Sequence, residues 1–433
     1  VIRLLKHKLV QDSLILGGVQ ISAYILPMIT LPYLTRVLGP ANFGLIALGS
    51  ALVLYFVVVI EYGFAVTGTR RVAVLQQDPP KVWRVYSNVM ACKLLLVTIC
   101  FFILIGVVMA VPKLRENWPL YLVSYSQALG LCLSPNWLLQ GMQRMKLVAI
   151  SDYGGKIISV ALIFLLVRHG SDYLIAAALQ SGSFLIAAIF GLAIASHQLR
   201  MHLVLPSIRE MREYMLEGWP VFLSFASGNV MTSSNTMILG MTAAPEQVGF
   251  LNAASRLIIA SRALANPVAN AVYPHMSQLA ARSRQDAVSF LKRRLLWTAA
   301  PFLLISLGMI LFSPLAVRIL YGARFKESAV LLRLMSPTPF VHALSMCFGT
   351  YFMLAFGYEK AWSRVVAMAL VVNFVLIAVL MQFMLPARAV ALTTSLTDIF
   401  VVSLCMRFFF RTVKDWRESG GQAPRASPGS TLS

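Results

Sequence analysis

The sequence predicts an all-α, polytopic membrane protein with twelve transmembrane helices in two six-helix lobes. Three observations carry that prediction. Of 433 residues, 58% are hydrophobic and 12% are charged, with a mean hydropathy of +0.76, whereas a soluble domain is about 25% charged. Too few polar side chains remain to coat a water-facing surface, so most of the chain is dissolved in lipid. The apolar residues fall into twelve runs close to the ~20 residues that cross a ~30 Å hydrocarbon core. The basic residues crowd into alternate connections between those runs.

The first run, 14–35, follows a short basic stretch (Arg3, Lys6, Lys8). It is too long for a signal-peptide core and lacks a small-residue cleavage site, so it reads as an uncleaved first span. The runs 43–66, 85–111, 119–139, 147–167 and 174–196 complete the first half. A polar linker, 197–217, then divides the chain near its midpoint. The second half holds 218–241, 248–276, 295–313, 331–356, 365–384 and 389–409, the second of these interrupted near its middle by Pro267. The domains expected are therefore a six-helix lobe over 1–205 and another over 206–410, related by an axis along the membrane normal with a cavity between them. Residues 411–433, rich in Gly, Ser and Pro towards the end, read as a disordered cytoplasmic tail.

Charge supplies the orientation. The formal net charge of +21 would suggest nucleic-acid binding in a soluble chain. With the N-terminus inside, however, 23 of the 37 Lys and Arg lie in cytoplasmic connections, 8 in outer ones and 6 within spans. That asymmetry is the positive-inside rule, which places both termini in the cytoplasm and removes nucleic acid as a partner. Trp83, Trp118, Trp137, Trp219, Trp297 and Trp362 fall near span ends, where an amphipathic ring prefers to sit. The five cysteines all lie inside apolar runs without a C-x-x-C pair, so they read as small buried hydrophobes rather than disulfide or metal ligands.

An ionisable group at the centre of a span costs roughly 2.5–3.5 kcal/mol on insertion scales and needs a reason. The deep cations are Lys93, Lys156, Arg256 and Arg262, and the deep acids are Glu61, Asp152 and Asp398. In the eighth span Asn252, Ser255, Arg256, Asn266 and Asn270 fall near one line at 100° per residue, with Arg262 at its margin. In the seventh, Ser224, Ser227, Ser234 and Asn235 share a face. Such stripes either line a polar cavity or bond neighbouring helices together. Asp152 and Lys156, at i and i+4, are spaced for an intrahelical ion pair. Glu61 suits a proton or sodium site, or else pairs with a neighbouring cation such as Lys93. Asp398, one turn beyond Thr394 and Ser395, is a third coupling candidate or a satisfied polar group.

The chemistry of enzymes is missing from this pattern. The six histidines are scattered without metal spacing, and no G-x-x-x-x-G-K-[ST] phosphate loop occurs. No outer connection is long enough for a catalytic domain. The sequence therefore predicts neither an enzyme nor a resident cofactor or metal.

Residues Leu31 to Gly44 read LPYLTRVLGPANFG, followed by Tyr55, Glu61-Tyr62-Gly63-Phe64 and Gly68-Thr69-Arg70-Arg71. Further on come Lys93, Glu217-Gly218-Trp219-Pro220, Gly249 to Arg256, Tyr273-Pro274, Tyr321-Gly322 with Phe325, and Met353 to Lys360. In these stretches the chain resembles the polysaccharide transporter family, the O-antigen or lipid-linked oligosaccharide flippase type within the multidrug/oligosaccharidyl-lipid/polysaccharide exporter superfamily. The resemblance implies a two-lobed, V-shaped, MATE-like transporter of the bacterial inner membrane. It implies ion-coupled alternating access that moves undecaprenyl-diphosphate-linked oligosaccharide from the cytoplasmic to the periplasmic leaflet, beside other membrane proteins of polysaccharide assembly. Relatives often carry an acid before the basic residue of the eighth span, where this chain has Ser255. On this reading Lys93, Lys156, Arg256 and Arg262 attract the diphosphate, each worth on the order of 4 kcal/mol at ~4 Å and an effective dielectric of ~20. Ser224, Ser227, Asn235, Asn252, Asn266 and Asn270 bond sugar hydroxyls. Two alternatives are a cation-coupled multidrug exporter, which would favour an acidic or aromatic cavity, and a membrane-embedded polymerase or acyltransferase.

Overall fold

The computed structural model describes residues 2–199, 202 and 204–418, with side chains from Met28 onward except at 227, 228, 230–232, 270, 271 and 417. The fold is all-α, and no strand occurs among the described residues. In chain order the helices are α1 (Ile2–Glu61), α2 (Phe64–Leu75), α3 (Pro79–Ala110), α4 (Pro112–Arg115), α5 (Trp118–Ser124) and α6 (Ser126–Leu133). They continue as α7 (Asn136–Gly141), α8 (Met145–Leu166), α9 (Tyr173–Leu199), α10 (Ile208–Thr242), α11 (Pro245–Ala263) and α12 (Asn266–Arg282). The last are α13 (Arg284–Tyr321), α14 (Lys326–Met335), α15 (Thr338–Ser345), a π-helix over Met346–Leu354, α16 (Glu359–Leu380) and α17 (Pro386–Glu418).

Eight stretches among the described residues are long and apolar enough to cross a membrane, and the first of them, Met28–Leu75, takes in the end of the first expected span and the whole of the second. Gly39, at φ 73°, breaks α1 between those two. Three expected spans remain. The run 218–241 lies within the continuous helix α10. The runs 119–139 and 331–356 are each assembled from short helices, the first broken at Ser134 and Pro135. Twelve crossings are consistent with this arrangement. Pro135 and Pro337 explain the breaks after α6 and α14, because proline removes a donor and clashes with the preceding turn. The same rule begins α3, where Pro79 and Pro80 occupy the first turn and the Asp78 carboxylate accepts from the Lys81 backbone N–H.

The chain forms two compact units, Val1–Ala254 with Pro314–Ala329, and Ser255–Ser313 with Val330–Ser433. The cut falls inside α11, whereas the sequence places its lobe boundary near 205. In the first unit α8 and α9 pack through small residues: Gly155 lies against Ala187 and Ser183, and Ser151 Oγ and Ser159 Oγ donate to the Ala187 and Leu179 carbonyls at 2.7 and 2.6 Å. This is the close backbone approach that membrane helices use when lipid offers no hydrophobic drive. At the other edge Gly44 of α1 meets α11 so closely that a Cβ would overlap the Pro245 carbonyl, and Gly249 meets Pro40 in the same way. Two cations from connections expected on the outer side cap helix C-termini there, Lys113 on the Met241 and Ala243 carbonyls at 3.2 and 2.7 Å and Arg36 on Ile319. Cations at those ends are favoured by the helix dipole.

In the second unit the π-helix lies among α12, α15, α16 and α17, and Phe348, Phe352 and Phe409 form an aromatic core. Trp416 joins it, 5.2 Å from Phe356 and 5.8 Å from Phe352, with Arg284 over its ring. These contacts carry α17 to Glu418, so residues 411–418, which the sequence assigns to the tail, are helical. The rest of the expected tail, 419–433, lies outside the described residues.

All five cysteines are free and buried. The outward faces are apolar: α13 exposes Leu304, Leu307, Leu311, Phe312 and Leu315, a surface suited to hydrocarbon. Trp83 and Trp137 depart from the interfacial role, since both are buried and Trp137 stacks on Tyr86.

Candidate functional site

α1 ends at Glu61, and Tyr62 (φ 44°) and Gly63 (φ 82°) turn the chain into α2 through left-handed backbone. Such a turn favours glycine and strains a tyrosine, which packing must hold in place. Tyr62 is held by stacking on Phe222 of α10 at 4.8 Å and 10°. The turn presents Glu61 to α3, where its Oε1 lies 2.9 Å from Lys93 Nζ. Lys93 also donates to the Leu131 carbonyl at 3.0 Å. Lys93 is only 1% exposed, against 28% for Glu61, so the ammonium is sealed inside the unit and the carboxylate is its reachable side. Of the two sequence readings of Glu61, pairing with Lys93 is the one this geometry forms.

Next to this turn, one face of α10 is tied to α2 and α3. Glu217 receives both Arg70 and Arg71, the latter through Nε at 2.7 Å. Glu210 pairs with Arg84 at 2.5 Å and accepts from Asn88 Nδ2 at 2.6 Å. Asn88 Oδ1 in turn accepts the Ser207 N–H at 2.8 Å. Between the two acids, Tyr214 lies under the Arg71 guanidinium at 4.3 Å. Burial raises the Tyr214 hydroxyl above its ordinary range, against an opposing pull from Arg71. Residues 210, 214 and 217 recur at helical spacing, so one stripe of α10 carries the whole network. Sequence reasoning missed it by treating Arg70, Arg71 and Arg84 as topology signals alone. The available sign was the cluster of Glu210, Glu213 and Glu217 in a chain with 16 acids.

In the second unit Arg262 of α11 forms an ion pair with Asp398 of α17. Around Asp398, Ser395 Oγ donates to the Leu334 carbonyl at 2.6 Å, and Asn373 Nδ2 to Thr397 Oγ1 at 3.3 Å. Arg262 and Asp398, read from the sequence in separate roles, are thus brought together.

The remaining expected residues are scattered. Asp152 accepts from Asn136 Nδ2 at 2.8 Å, and its expected pair with Lys156 is not formed among the described residues. Lys156 is half-buried and Arg256 exposed. Asn235, Asn252 and Asn266 are half-buried and Ser224 is exposed. The side chains of Ser227 and Asn270 lie outside the described residues. Ser234 shares a 2.8 Å hydrogen bond with Tyr55, so part of the seventh-span stripe joins helices. The eighth-span stripe does not run as one line, because α11 stops at Ala263 and α12 restarts at Asn266.

Residues 9–280 match the family model for polysaccharide biosynthesis protein, which is more than half of the chain. The chain belongs to the polysaccharide biosynthesis protein family. Similar members include a protein of Escherichia coli (strain K12) provisionally named an O-antigen transporter, 30% identical over 93% of this chain and 97% of its own. A Shigella dysenteriae protein with the same provisional name is 27% identical over 92% and 99% of the two chains. These relatives are named as transporters, so this family member is a membrane transporter and not an enzyme. Among solved structures, the lipid II flippase MurJ in an inward closed conformation shares the fold at a TM-score of 0.71, with 14% identity over 94% of this chain and 89% of that one. An inward-facing multidrug resistance MATE family transporter of the MOP superfamily follows at 0.67, with 13% identity over 92% and 99%.

Proposed function

We propose that the protein is a flippase that carries undecaprenyl-diphosphate-linked oligosaccharide from the cytoplasmic to the periplasmic leaflet of a bacterial inner membrane. The observation that carries this reading is the full-length similarity to the Escherichia coli protein named for O-antigen transport. A diphosphate and a glycan cannot cross hydrocarbon, while a polyprenyl tail can stay in it. The chain must therefore offer the headgroup cations and hydrogen bonds. The cations expected to do that work are Lys93, Lys156, Arg256 and Arg262, of which Lys93 is paired with Glu61 and Arg262 with Asp398.

Alternating access rocks the six-helix lobe 1–205 against the lobe 206–410, with both termini in the cytoplasm. On that division Arg70, Arg71 and Arg84 belong to one lobe, and Glu210 and Glu217 to the other. The network then acts as a cytoplasmic latch that opens to admit substrate. Glu61 is the coupling carboxylate: loading a proton or sodium ion on its exposed side weakens its hold on Lys93 and frees the turn that carries α2.

The test is deletion of the gene, followed by assay of surface polysaccharide and of lipid-linked intermediates by leaflet. Accumulation of intermediates in the cytoplasmic leaflet, reversed by the wild-type gene, is expected. Normal surface polysaccharide without accumulation, in a strain stripped of related transporters, would overturn the reading. A change in drug susceptibility instead would favour a multidrug exporter.

A further inference from the structure

A crevice of about 600 Å³ opens between α12 and α13 in the second unit. Its walls are two helical stripes, Val268, Val272 and His275 on one side and Phe290, Arg294 and Trp297 on the other, each spaced to stay on one helix face. The crevice is graded along its length. At one end His275 packs edge-on to Phe290 at 4.9 Å, and the Arg294 guanidinium lies 5.8 Å from the same ring. At the other end the wall is wholly apolar and finishes at Phe302 and Ile305. Among the described residues no carboxylate lines it, and Lys292 and Arg293 stand beside Arg294 in sequence, both exposed. From Arg294 to Ile305 is about 16 Å of helix at 1.5 Å per residue. That is the depth of one leaflet of a ~30 Å hydrocarbon core. Trp297, 79% exposed, stands one turn into that depth, where an interfacial ring belongs.

We infer that this crevice is a binding site for an anionic phospholipid of the cytoplasmic leaflet, its phosphate at Arg294 and one acyl chain along Val268 and Val272. The charge complementarity and the one-leaflet length select a phospholipid over a polyprenyl chain, which is far longer than the groove. A basic pocket between transmembrane helices on the cytoplasmic side is a known way to hold such headgroups. The inference rests on the orientation proposed above. Lipid retention is measured without transport, so its failure would leave the flippase reading standing.

The test is native mass spectrometry of the purified full chain, titrated with phosphatidylglycerol and phosphatidylethanolamine of identical acyl chains. The wild type is expected to retain phosphatidylglycerol preferentially. Arg294→Gln lowers that preference about fivefold, the effect of removing one cation near an anionic headgroup, and Arg294→Lys keeps it. Val272→Trp, which fills the throat, lowers retention of both lipids. Arg294→Gln and Arg294→Lys decide the matter if the tryptophan variant does not fold. Equal retention of the two lipids by the wild type overturns the proposal, as does a preference unchanged in Arg294→Gln. Displacement of phosphatidylglycerol by polyprenyl phosphate at lower concentration than by phosphatidylglycerol itself also overturns it, and assigns the crevice to the transported lipid.

Discussion

Lys93 shows how a residue's chemistry depends on its neighbours. As a lone buried ammonium it would be a candidate phosphate ligand, but paired with Glu61 at 2.9 Å it is neutralised before any substrate arrives. Removing one member of a fully buried pair costs about 3–5 kcal/mol because the other charge is left uncompensated. Glu61 is partly exposed, so Glu61→Gln is expected to cost about 2 kcal/mol, less than a fully buried pair because solvent screens the carboxylate. The double variant Glu61→Gln with Lys93→Met is expected to recover most of that loss, read as thermal unfolding in detergent. A double variant that is stable and reaches the membrane yet exports no polysaccharide would show that the pair serves transport as well as stability, as expected if Glu61 is the coupling carboxylate. A second residue answers to pH. The hydrogen bond from Lys81, against a smaller opposing desolvation, holds the Asp78 carboxyl below its ordinary range. A depressed folded pKa stabilises above the unfolded value of about 3.9 and the contribution is lost as pH falls through the folded value. Asp78→Ala should therefore speed amide exchange in the first turn of α3 at pH 6, and the difference from wild type should vanish once the pH has fallen through the lowered folded value. A difference that persists in acid would place the capping effect elsewhere.

At the scale of elements, α10 is fastened to α2 and α3 by its acids, and this was the part least legible in the sequence. Hydropathy found the helices themselves: the run read as 85–111 overlaps α3 at Pro79–Ala110 and overruns its end by one residue. It did not find the breaks at Ser134 and Pro135, because an apolar average is blind to where a ring removes a backbone donor. The sequence left Glu61 between an ion site and a pair with a cation such as Lys93, 32 residues away, because which helices touch is not written in either helix alone. The sequence also spread one polar stripe across Pro267, and the restart at Asn266 cuts it. For α10 the structure makes a definite forecast. Glu217→Arg places a third cation beside Arg70 and Arg71, and should detach α10 from α2. Reversal of all three, with Arg70→Glu and Arg71→Glu, should restore the contact. Partly exposed ion pairs contribute about 1 kcal/mol or less each, so the single reversal should leave the fold intact. Surface polysaccharide is expected to fall about tenfold in Glu217→Arg and to recover in the triple variant. Equal export by all three proteins would show that the network is not a gate.

For the whole molecule, the net charge of +21 has two separate meanings. On the proposed orientation most of the cations mark which side of the membrane a connection occupies, and the structure adds that two of those placed outside, Arg36 and Lys113, are fixed on helix carbonyls. Those outer cations are therefore accounted for by local bonding and do not weaken the asymmetry that sets orientation. On the proposed reading orientation sets the direction of transport, since the proposed latch of Arg70, Arg71, Arg84, Glu210 and Glu217 would admit a cytoplasmic substrate only if it faces the cytoplasm. The five native cysteines are buried, so introduced thiols can be read against a low background. Ser171→Cys, exposed in the connection before α9, should react with a membrane-impermeant maleimide in cells whose outer membrane alone is opened. Gln285→Cys, exposed at the start of α13, should react only after the inner membrane is permeabilised. The opposite pattern would invert the molecule, put the latch on the periplasmic side, and remove the basis for export from cytoplasm to periplasm.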